Sequence, residues 1–342
     1  MRIKLYPPQA VLEMGSRSNQ EDCIFPTEGK GTENDRIFIL CDGMGGHERG
    51  EVASRAVCQG LSEYLRDQMK NDEVLTDQQL KNALEHAYEL LDENDNGAFR
   101  KAGTTMTILC FHRGGCTAAH IGDSRIYHFR PSTRSVLYKS RDHSLVFELY
   151  QAGEISYQEM KSHPRKNQIT RAMIAGSDNR QRMDVVHITN IQPGDYFMIC
   201  SDGILERLDD EELMDLLADG SSDEQKRQKL VELTASNADN HSAYLIHVAD
   251  VQNDEDDEAL PDDEQQVRFN AVNIHPVPVV ENDVKIVTDM EQDVEYSDST
   301  QYQSLPQPKQ ESRFSGHKLW EVVLLISVLV VFIIWLITLI IK

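Results

Sequence analysis

Short apolar runs typical of β-strands alternate along residues 1–249 with longer stretches that have helical spacing. The runs consist of apolar, β-prone side chains, a composition that predicts strands. Short polar links join many neighbouring runs, which favours hairpins and therefore antiparallel sheets. The predicted strands span residues 10–14, 37–41, 104–111, 116–121, 125–130, 135–138, 184–189, 195–200 and 243–249.

Four helices are predicted, and in the first two of them apolar side chains recur at intervals of three and four residues. Acidic residues at the start of the third helix suit the positive end of a helix dipole, and Gly220 suits its end. The predicted helices span residues 50–70, 76–95, 209–220 and 223–237.

The composition changes at residue 250. Residues 250–312 hold 17 acidic and 3 basic side chains, in a chain of 342 residues with a formal net charge of −23. Because this stretch is also poor in core-forming residues, we predict that 250–318 is an acidic disordered linker that follows a folded domain, 1–249. No nucleic-acid partner is expected, since such binding depends on lysine and arginine facing phosphates.

A long uncharged run stands near the end of the sequence. Val322–Ile341 comprises twenty residues without a charged side chain. As a helix it would be about 30 Å long, the thickness of a bilayer's hydrocarbon core. Arg313, Lys318 and Trp320 precede the run and suit an interface with anionic lipid. Residues 319–342 are therefore predicted to be a single transmembrane helix that anchors a cytoplasmic domain to the membrane.

The cysteines and the first ten residues agree with a cytoplasmic domain. No signal peptide is expected, because residues 1–10 lack an apolar region before their prolines. The cysteines are spaced singly, without the pairs typical of zinc sites, and several lie in apolar runs. We predict that they are reduced and structural. They stand at positions 23, 41, 58, 110, 116 and 200.

Aspartates follow several of the predicted strands. Asp42 and Asp202 each precede a glycine at a strand end, Asp123 follows the strand 116–121, and Asp239 precedes the last strand. Any one Asp-Gly pair predicts only a turn. Several such carboxylates facing one another would repel strongly, and a divalent cation resolves that repulsion. Hard oxygen ligands of this kind suit Mg²⁺ or Mn²⁺ rather than zinc.

Eight short motifs occur in an order that is similar to that of a known family. The series resembles the bacterial type of the protein phosphatase type 2C family, which are metal-dependent serine/threonine phosphatases, and the similarity covers residues 9–249. The motifs are Arg17 with Glu21-Asp22, CDGMGGH (41–47), GTTMT (103–107), IGDSRIY (121–127), RDHS (141–144), ITRAM (169–173), CSDGI (200–204) and ADN (238–240).

The resemblance implies an α+β fold, an α-β-β-α sandwich of two antiparallel sheets flanked by helices, with a metal cluster at one edge. It implies two Mn²⁺ or Mg²⁺ ions, bridged by Asp42, with the Gly43 carbonyl as a ligand of one of them. By the same resemblance, Asp202 and Asp239 would bind the second ion, and Glu21 and Asp22 would hold metal-associated water. Arg17 would bind the substrate phosphate, and Asp123 would belong to a third, weaker metal site.

The reaction that the resemblance implies is hydrolysis of phosphoserine and phosphothreonine in proteins by water that two metal ions activate. Arg17 would neutralise phosphoryl charge through paired hydrogen bonds. The implied partners are phosphoproteins and a serine/threonine kinase that phosphorylates them. The alternative is an inactive phosphatase-like adaptor that binds phosphoproteins. Because Asp22, Asp42, Asp202 and Asp239 are all present, we favour the enzyme.

The sequence departs from the family pattern at two places. Met44 stands where many eukaryotic members have a histidine that is proposed as the general acid, and bacterial-type members commonly have methionine. His47 and His143 lie within the quoted motifs, but neither is expected to be catalytic. The segment DNHSAYLI (239–246) replaces the usual DNITVIVV, so that its histidine and serine are unusual.

One loop region corresponds to the mobile flap that lies beside the active site in the family. It spans residues 145–168 and contains Arg165 and Lys166. These two cations either meet acidic phosphopeptides or belong to a solvated loop without such a role.

Overall fold

Two antiparallel β-sheets are stacked face to face, and helices cover their outer faces. The computed structural model describes residues 1–45, 49–70, 73–94 and 102–252. The predicted membrane segment 319–342 and nearly all of the predicted linker lie outside the described residues, as does His47.

Within the described ranges, one sheet has six strands, all paired antiparallel. They are β1 (Arg2–Leu5), β2 (Gln9–Glu13), β8 (Arg125–Arg130), β9 (Ser135–Lys139), β12 (Tyr196–Cys200) and β13 (His241–Gln252). Their order is β1–β13–β12–β8–β9, and β2 also pairs with the long strand β13.

The other sheet has seven strands in the part of the chain that the structure describes, again paired antiparallel. They are β3 (Asp22–Phe25), β4 (Ile37–Met44), β5 (Gly103–Thr104), β6 (Met106–His112), β7 (Gly115–Ile121), β10 (Met173–Ile174) and β11 (Asp184–Ile188). Their order is β10–β5–β4–β6–β7–β11, and β3 also pairs with β4.

The helices begin where capping side chains satisfy their first backbone N–H groups. Thr76, Asp209 and Ser222 cap three of the longer helices, and each is part of a reciprocal capping box. The described helices are α1 (Arg49–Gln68), α2 (Asp77–Glu93), α3 (Leu145–Gln151), α4 (Tyr157–Ser162), α5 (Asp202–Leu205), α6 (Asp210–Ala218) and α7 (Asp223–Thr234).

Three apolar clusters hold the layers together. Between the sheets, the rings of Phe38 and Phe111 from one sheet meet those of Tyr244 and Phe197 from the other, edge to face. A second cluster packs α1 and α2 against the seven-stranded sheet, and a third packs α5, α6 and α7 against the six-stranded sheet. This order of layers is the α-β-β-α sandwich predicted from the family resemblance.

The structure differs from the sequence prediction mainly in short elements. Strands β1, β3 and β10 and helices α3, α4 and α5 were not predicted, because runs of two to seven residues give too little periodicity to stand out. The last strand continues to Gln252, three residues beyond the predicted domain boundary at 249. The six cysteines are free, as predicted. No helix within the described residues is long and apolar enough to cross a membrane.

The sheet ends bring the predicted site residues to one edge of the sandwich. Asp22 and Asp42 are direct register partners on β3 and β4. In the other sheet, Cys200 at the end of β12 pairs with Ala243 near the start of β13, so Asp202 and Asp239 flank the same edge. The turn after β7 adds Asp123.

Candidate metal centre

Two threonines fix the backbone of Asp42. The Thr105 N–H and the Thr104 hydroxyl both donate to the Asp42 carbonyl oxygen, at 2.8 and 2.9 Å. The Asp42 N–H in turn donates to the Thr105 hydroxyl at 2.9 Å. The threonines belong to the GTTMT motif, for which no role was predicted from the sequence. They hold the strand end rigid, so the Asp42 carboxylate is positioned before any ligand binds.

Close backbone packing explains the glycine that follows. A Cβ atom on Gly43 would lie 2.2 Å from the carbonyl oxygen of Gly50, at the start of α1, and 2.5 Å from that of Glu21. The Gly43 N–H donates to the same Glu21 carbonyl at 3.1 Å. Only glycine fits here, and the absence of a side chain brings the backbone close to its neighbours.

Asp22 is buried within the cluster, and only one of its two carboxylate oxygens has hydrogen-bond partners among the described residues. Its Oδ2 accepts hydrogen bonds from the hydroxyls of Ser201 and Ser242, at 3.0 and 2.6 Å. Its Oδ1 is buried without a hydrogen-bond partner among the described residues. Burial, together with the charges of Asp202 and Asp239, raises the pKa of Asp22 to about 7, although the two serines act in the opposite direction.

The neighbouring carboxylates destabilise one another's charge in the same way. Burial, followed by the charges of Asp22, Asp202, Asp123 and Asp239, raises the pKa of Asp42 well above its ordinary value. Burial and Asp239 raise the pKa of Asp202 to about 6. The pKa of Asp123 is also raised, first by burial and then by Asp202, and its Oδ1 lacks a partner among the described residues. These side chains therefore need a cation to be ionised together.

Arg17 reaches the cluster from an exposed loop. Its guanidinium donates to Asp239 Oδ2 at 2.6 Å, and half of its side chain is solvent-exposed. Asn240 ties this loop down by accepting from the Glu21 N–H at 2.8 Å and donating to the Met14 carbonyl at 2.8 Å. At Gly15, with φ of +61°, a Cβ would lie 2.2 Å from the Asp239 carbonyl oxygen. This packing places Arg17 and Glu21 beside the carboxylates.

A partly buried ion pair borders the cluster and was not predicted from the sequence. Arg125 forms two hydrogen bonds to Asp142, both at 2.6 Å, and donates to the Tyr127 hydroxyl at 3.2 Å. Both residues lie in quoted motifs, IGDSRIY and RDHS, yet neither was given a role. Because Asp142 already has a cationic partner, it belongs to the support of the site rather than to its free carboxylates.

A groove of about 330 Å³ extends from the cluster. Its lining includes Asp123 and Asp202 of the cluster and, from the predicted flap, Val146, Tyr157 and Met160. The flap contains α3 and α4. Two of its lysines face acidic residues of the same groove: Lys166 lies 3.4 Å from Glu206, and Lys161 lies 3.6 Å from Asp209.

The chemistry of the donor set fits hard divalent cations. The structure brings together, at one edge of the sandwich, all eight residues for which a role was predicted from the sequence. Two buried carboxylate oxygens there have no partner within the described part of the chain. Carboxylate and carbonyl oxygens without nitrogen or sulfur donors are typical of Mg²⁺ and Mn²⁺ sites. The eight residues are Arg17, Glu21, Asp22, Asp42, Gly43, Asp123, Asp202 and Asp239.

Comparison with known proteins agrees with this geometry. The family model described as "Protein phosphatase 2C" matches residues 17–235. The protein phosphatase PhpP of Streptococcus pneumoniae is 30% identical over 229 residues, which cover 65% of this chain and 88% of PhpP. Among solved structures, the S. agalactiae serine/threonine phosphatase has a TM-score of 0.60 and 29% identity, and the match covers 70% of this chain and 98% of that one.

A further solved structure contains metal. The catalytic domain of the phosphatase PstP, in complex with two manganese ions, superposes with a TM-score of 0.57 and 26% identity over 73% of this chain and all of that one. Fold, site and sequence comparison thus define the same class of protein. The chain belongs to the protein phosphatase 2C family, the metal-dependent protein-serine/threonine phosphatases.

Proposed function

We propose that this protein hydrolyses phosphoserine and phosphothreonine in proteins, with two Mn²⁺ or Mg²⁺ ions at the carboxylate edge. The observation that carries the proposal is the convergence of the five aspartates beside Arg17, where two buried carboxylate oxygens find no partner among the residues that the structure describes. Asp42 and the Gly43 carbonyl would hold one ion, and Asp42 with Asp202 and Asp239 the other. Glu21 and Asp22 would orient water, and Asp123 would serve a third, weaker site.

The chemistry that divalent cations supply in such a site is Lewis acidity towards a phosphoryl group and towards water. The protein's own contribution is preorganisation. The hydrogen bonds of Thr104 and Thr105 hold the backbone of Asp42 in place. The hydroxyls of Ser201 and Ser242 donate to the Asp22 carboxylate and favour its ionised form. Arg17 has five N–H donors in a planar fork, and one bond to Asp239 leaves others for phosphoryl oxygens.

The test is turnover by the full chain on a phosphothreonine peptide. We expect hydrolysis with Mn²⁺, its loss on addition of a chelator, and its loss in Asp42→Ala and Asp202→Ala. Asp215→Ala is the matched control, because Asp215 is an exposed aspartate of α6 that pairs with Arg134. Folded, Mn²⁺-loaded protein without turnover on several phosphopeptides would instead favour the phosphoprotein-binding adaptor, which no observation currently supports.

We further propose that the enzyme is held at the cytoplasmic face of a membrane and opposes a serine/threonine kinase. The support is in the sequence: the twenty uncharged residues of Val322–Ile341 and the acidic stretch before them. A flexible stretch of this length would let the folded domain search tens of ångströms of membrane surface. Full-length protein is expected in the membrane fraction, and deletion of 319–342 is expected to move it to the soluble fraction. An unchanged distribution would refute the anchor.

A further inference from the structure

The turn that carries Asp123 is clamped by His143. The Gly122 N–H donates to His143 Nδ1 at 3.0 Å, and the His143 N–H donates to the Gly122 carbonyl at 3.0 Å. The residue directly before Asp123 is thus held at both of its backbone polar groups by one histidine. His143 itself is buried, with 5% of its surface exposed.

The other side of the same turn is closed by Thr105. Gly122 has a φ of +109°, and a Cβ there would lie 2.6 Å from the Thr105 methyl group. The Thr105 hydroxyl also contacts that of Ser124 at 2.8 Å. Gly122 therefore fits between His143 and Thr105. The same Thr105 also forms hydrogen bonds to the backbone of Asp42. Asp123 has little freedom as long as both neighbours are in place.

His143 also closes the base of the flap. Its carbonyl oxygen accepts from the Thr170 N–H at 2.8 Å, and the adjacent Leu145 N–H donates to the Gln168 carbonyl at 2.9 Å. Ser144 forms an isolated β-bridge with Ile169. The two ends of the flap thus meet at the residue that holds the turn before Asp123.

The position of His143 does not suit it to be a metal ligand. His120, His143 and Asp184 offer ligand atoms within 4.8 Å of one another. The two imidazole rings are stacked, however, with centroids 4.7 Å apart and planes only 10° from parallel. A metal ion lies in the plane of each imidazole that binds it, so two stacked rings cannot share one ion. Moreover, because Nδ1 accepts from Gly122, the proton of the neutral ring is on Nε2, which faces Asp184 at 3.3 Å.

We propose that His143 is a positioning residue for Asp123, and that it couples the base of the flap to the weaker cation site. The proposal rests on the proposed function, because it concerns how this chain prepares one carboxylate for a cation. Asp123 Oδ1 has no partner among the described residues, so the backbone of the turn has to fix its direction. Mutation of a residue that orients a metal-binding group in this way typically lowers metal affinity by about 10- to 100-fold.

The experiment is a Mn²⁺ titration of the full chain, with free Mn²⁺ followed by electron paramagnetic resonance. His143→Leu removes the acceptor for Gly122 and is expected to weaken the weakest binding step by about tenfold. His143→Asn is expected to retain it, since an asparagine amide oxygen can take the place of Nδ1. Asp184→Asn is the control, because Asp184 touches only the Nε2 side of the ring and should leave binding unchanged.

A double-mutant cycle separates positioning from a general loss of structure. In an Asp123→Asn background, His143→Leu should have no further effect on Mn²⁺ binding, because both changes act on the same group. Equal effects in both backgrounds, or wild-type binding by His143→Leu, would overturn the proposal.

A second pair of variants serves as the control for a failure of His143→Leu to fold. Should His143→Leu not fold, His143→Gln and His143→Asn decide, because glutamine directs its amide towards Asp184 and asparagine towards Gly122. Weakened binding in the glutamine variant alone supports the proposal, and equal binding in both overturns it. Turnover by wild type and its loss in Asp42→Ala test the proposed function independently of any of these results.

Discussion

Two groups of buried carboxylates in this molecule are treated in opposite ways. Asp195, which is 1% exposed, has a hydrogen-bond partner at each of its oxygens. Arg130 donates to each oxygen at 2.8 Å, His128 lies 2.8 Å from Oδ2, and the Gln192 N–H adds a bond of 2.9 Å. Although burial opposes it, this pairing lowers the pKa of Asp195 to about 2.

Asp22 and Asp123 are also buried, but each keeps one oxygen without a hydrogen-bond partner among the described residues, and their pKa values are raised. The same chain therefore satisfies a buried carboxylate completely where the purpose is structural. At the candidate metal centre, the missing partner of each carboxylate oxygen would be a bound cation. Unsatisfied buried oxygens cost free energy, and they persist where function requires them.

Neutralising one carboxylate from each group should give the largest difference between them. Asp195→Asn leaves Arg130 buried without its anion and should lower the free energy of unfolding by about 3 kcal/mol. Asp42→Asn should leave the stability of the metal-free protein unchanged or higher, since it removes a repelled charge. Its activity should fall by more than about 100-fold, the most that a merely supporting residue contributes.

Urea unfolding in the presence of chelator and initial rates with Mn²⁺ measure the two effects separately. Destabilisation of the metal-free protein by Asp42→Asn, comparable to that by Asp195→Asn, would show that the two groups do not differ in kind.

The pH dependence of stability should have opposite signs for the two groups. Asp22 has its pKa raised from 3.8 to about 7, so the folded metal-free protein binds more protons than the unfolded chain. Its contribution to the free energy of unfolding therefore falls as the pH rises from about 4 to 7. Asp195, with its pKa lowered from 3.8 to about 2, contributes stability above about pH 4 that is lost as the pH falls towards 2.

Urea unfolding with chelator between pH 4 and 7 tests the first sign, with Asp22→Asn as the comparison. The variant should show a flatter dependence than wild type over this range, and an identical slope would contradict the assignment. Added Mn²⁺ should stabilise wild type increasingly over the same range, because cations compete with protons for the carboxylates.

A smaller effect is expected from the hydroxyls that support Asp22. Ser242→Ala removes the 2.6 Å hydrogen bond to Asp22 Oδ2 and should weaken Mn²⁺ binding by about tenfold. Ser236→Ala, at an exposed serine before β13, is the matched control and should have no effect. Mn²⁺ titration measures both, and equal affinities would mean that Ser242 serves only packing.

Ser242 also shows where prediction from sequence stops. The sequence marked it as a departure from the family pattern, but not as a partner of Asp22. That contact requires β3 and β13, from different sheets, to meet at one edge, and β3 is only four residues long. Local periodicity carries no information on how two sheets stack.

The strand-terminal aspartates were accessible from sequence for a different reason. Each follows or precedes a strongly apolar run, so the position of Asp42 near the end of β4, or of Asp202 just after β12, is a local property. Convergence at one edge came from the family resemblance and not from the pattern. The roles of Thr105, Asp142 and His143 were missed although their motifs were quoted, because backbone clamps and ion pairs depend on tertiary contacts.

The smallest effect is expected where a charge pair is exposed. Lys166 of the flap lies 3.4 Å from Glu206, and the two side chains are 46% and 29% exposed. Such a pair contributes at most about 1 kcal/mol, so Lys166→Met should change kcat/KM for an acidic phosphopeptide by less than about fivefold. Glu206→Gln frees the ammonium group and should lower KM for the same peptide, with a neutral peptide as control. A large loss in Lys166→Met, specific to the acidic peptide, would mean instead that Lys166 leaves Glu206 to bind the substrate.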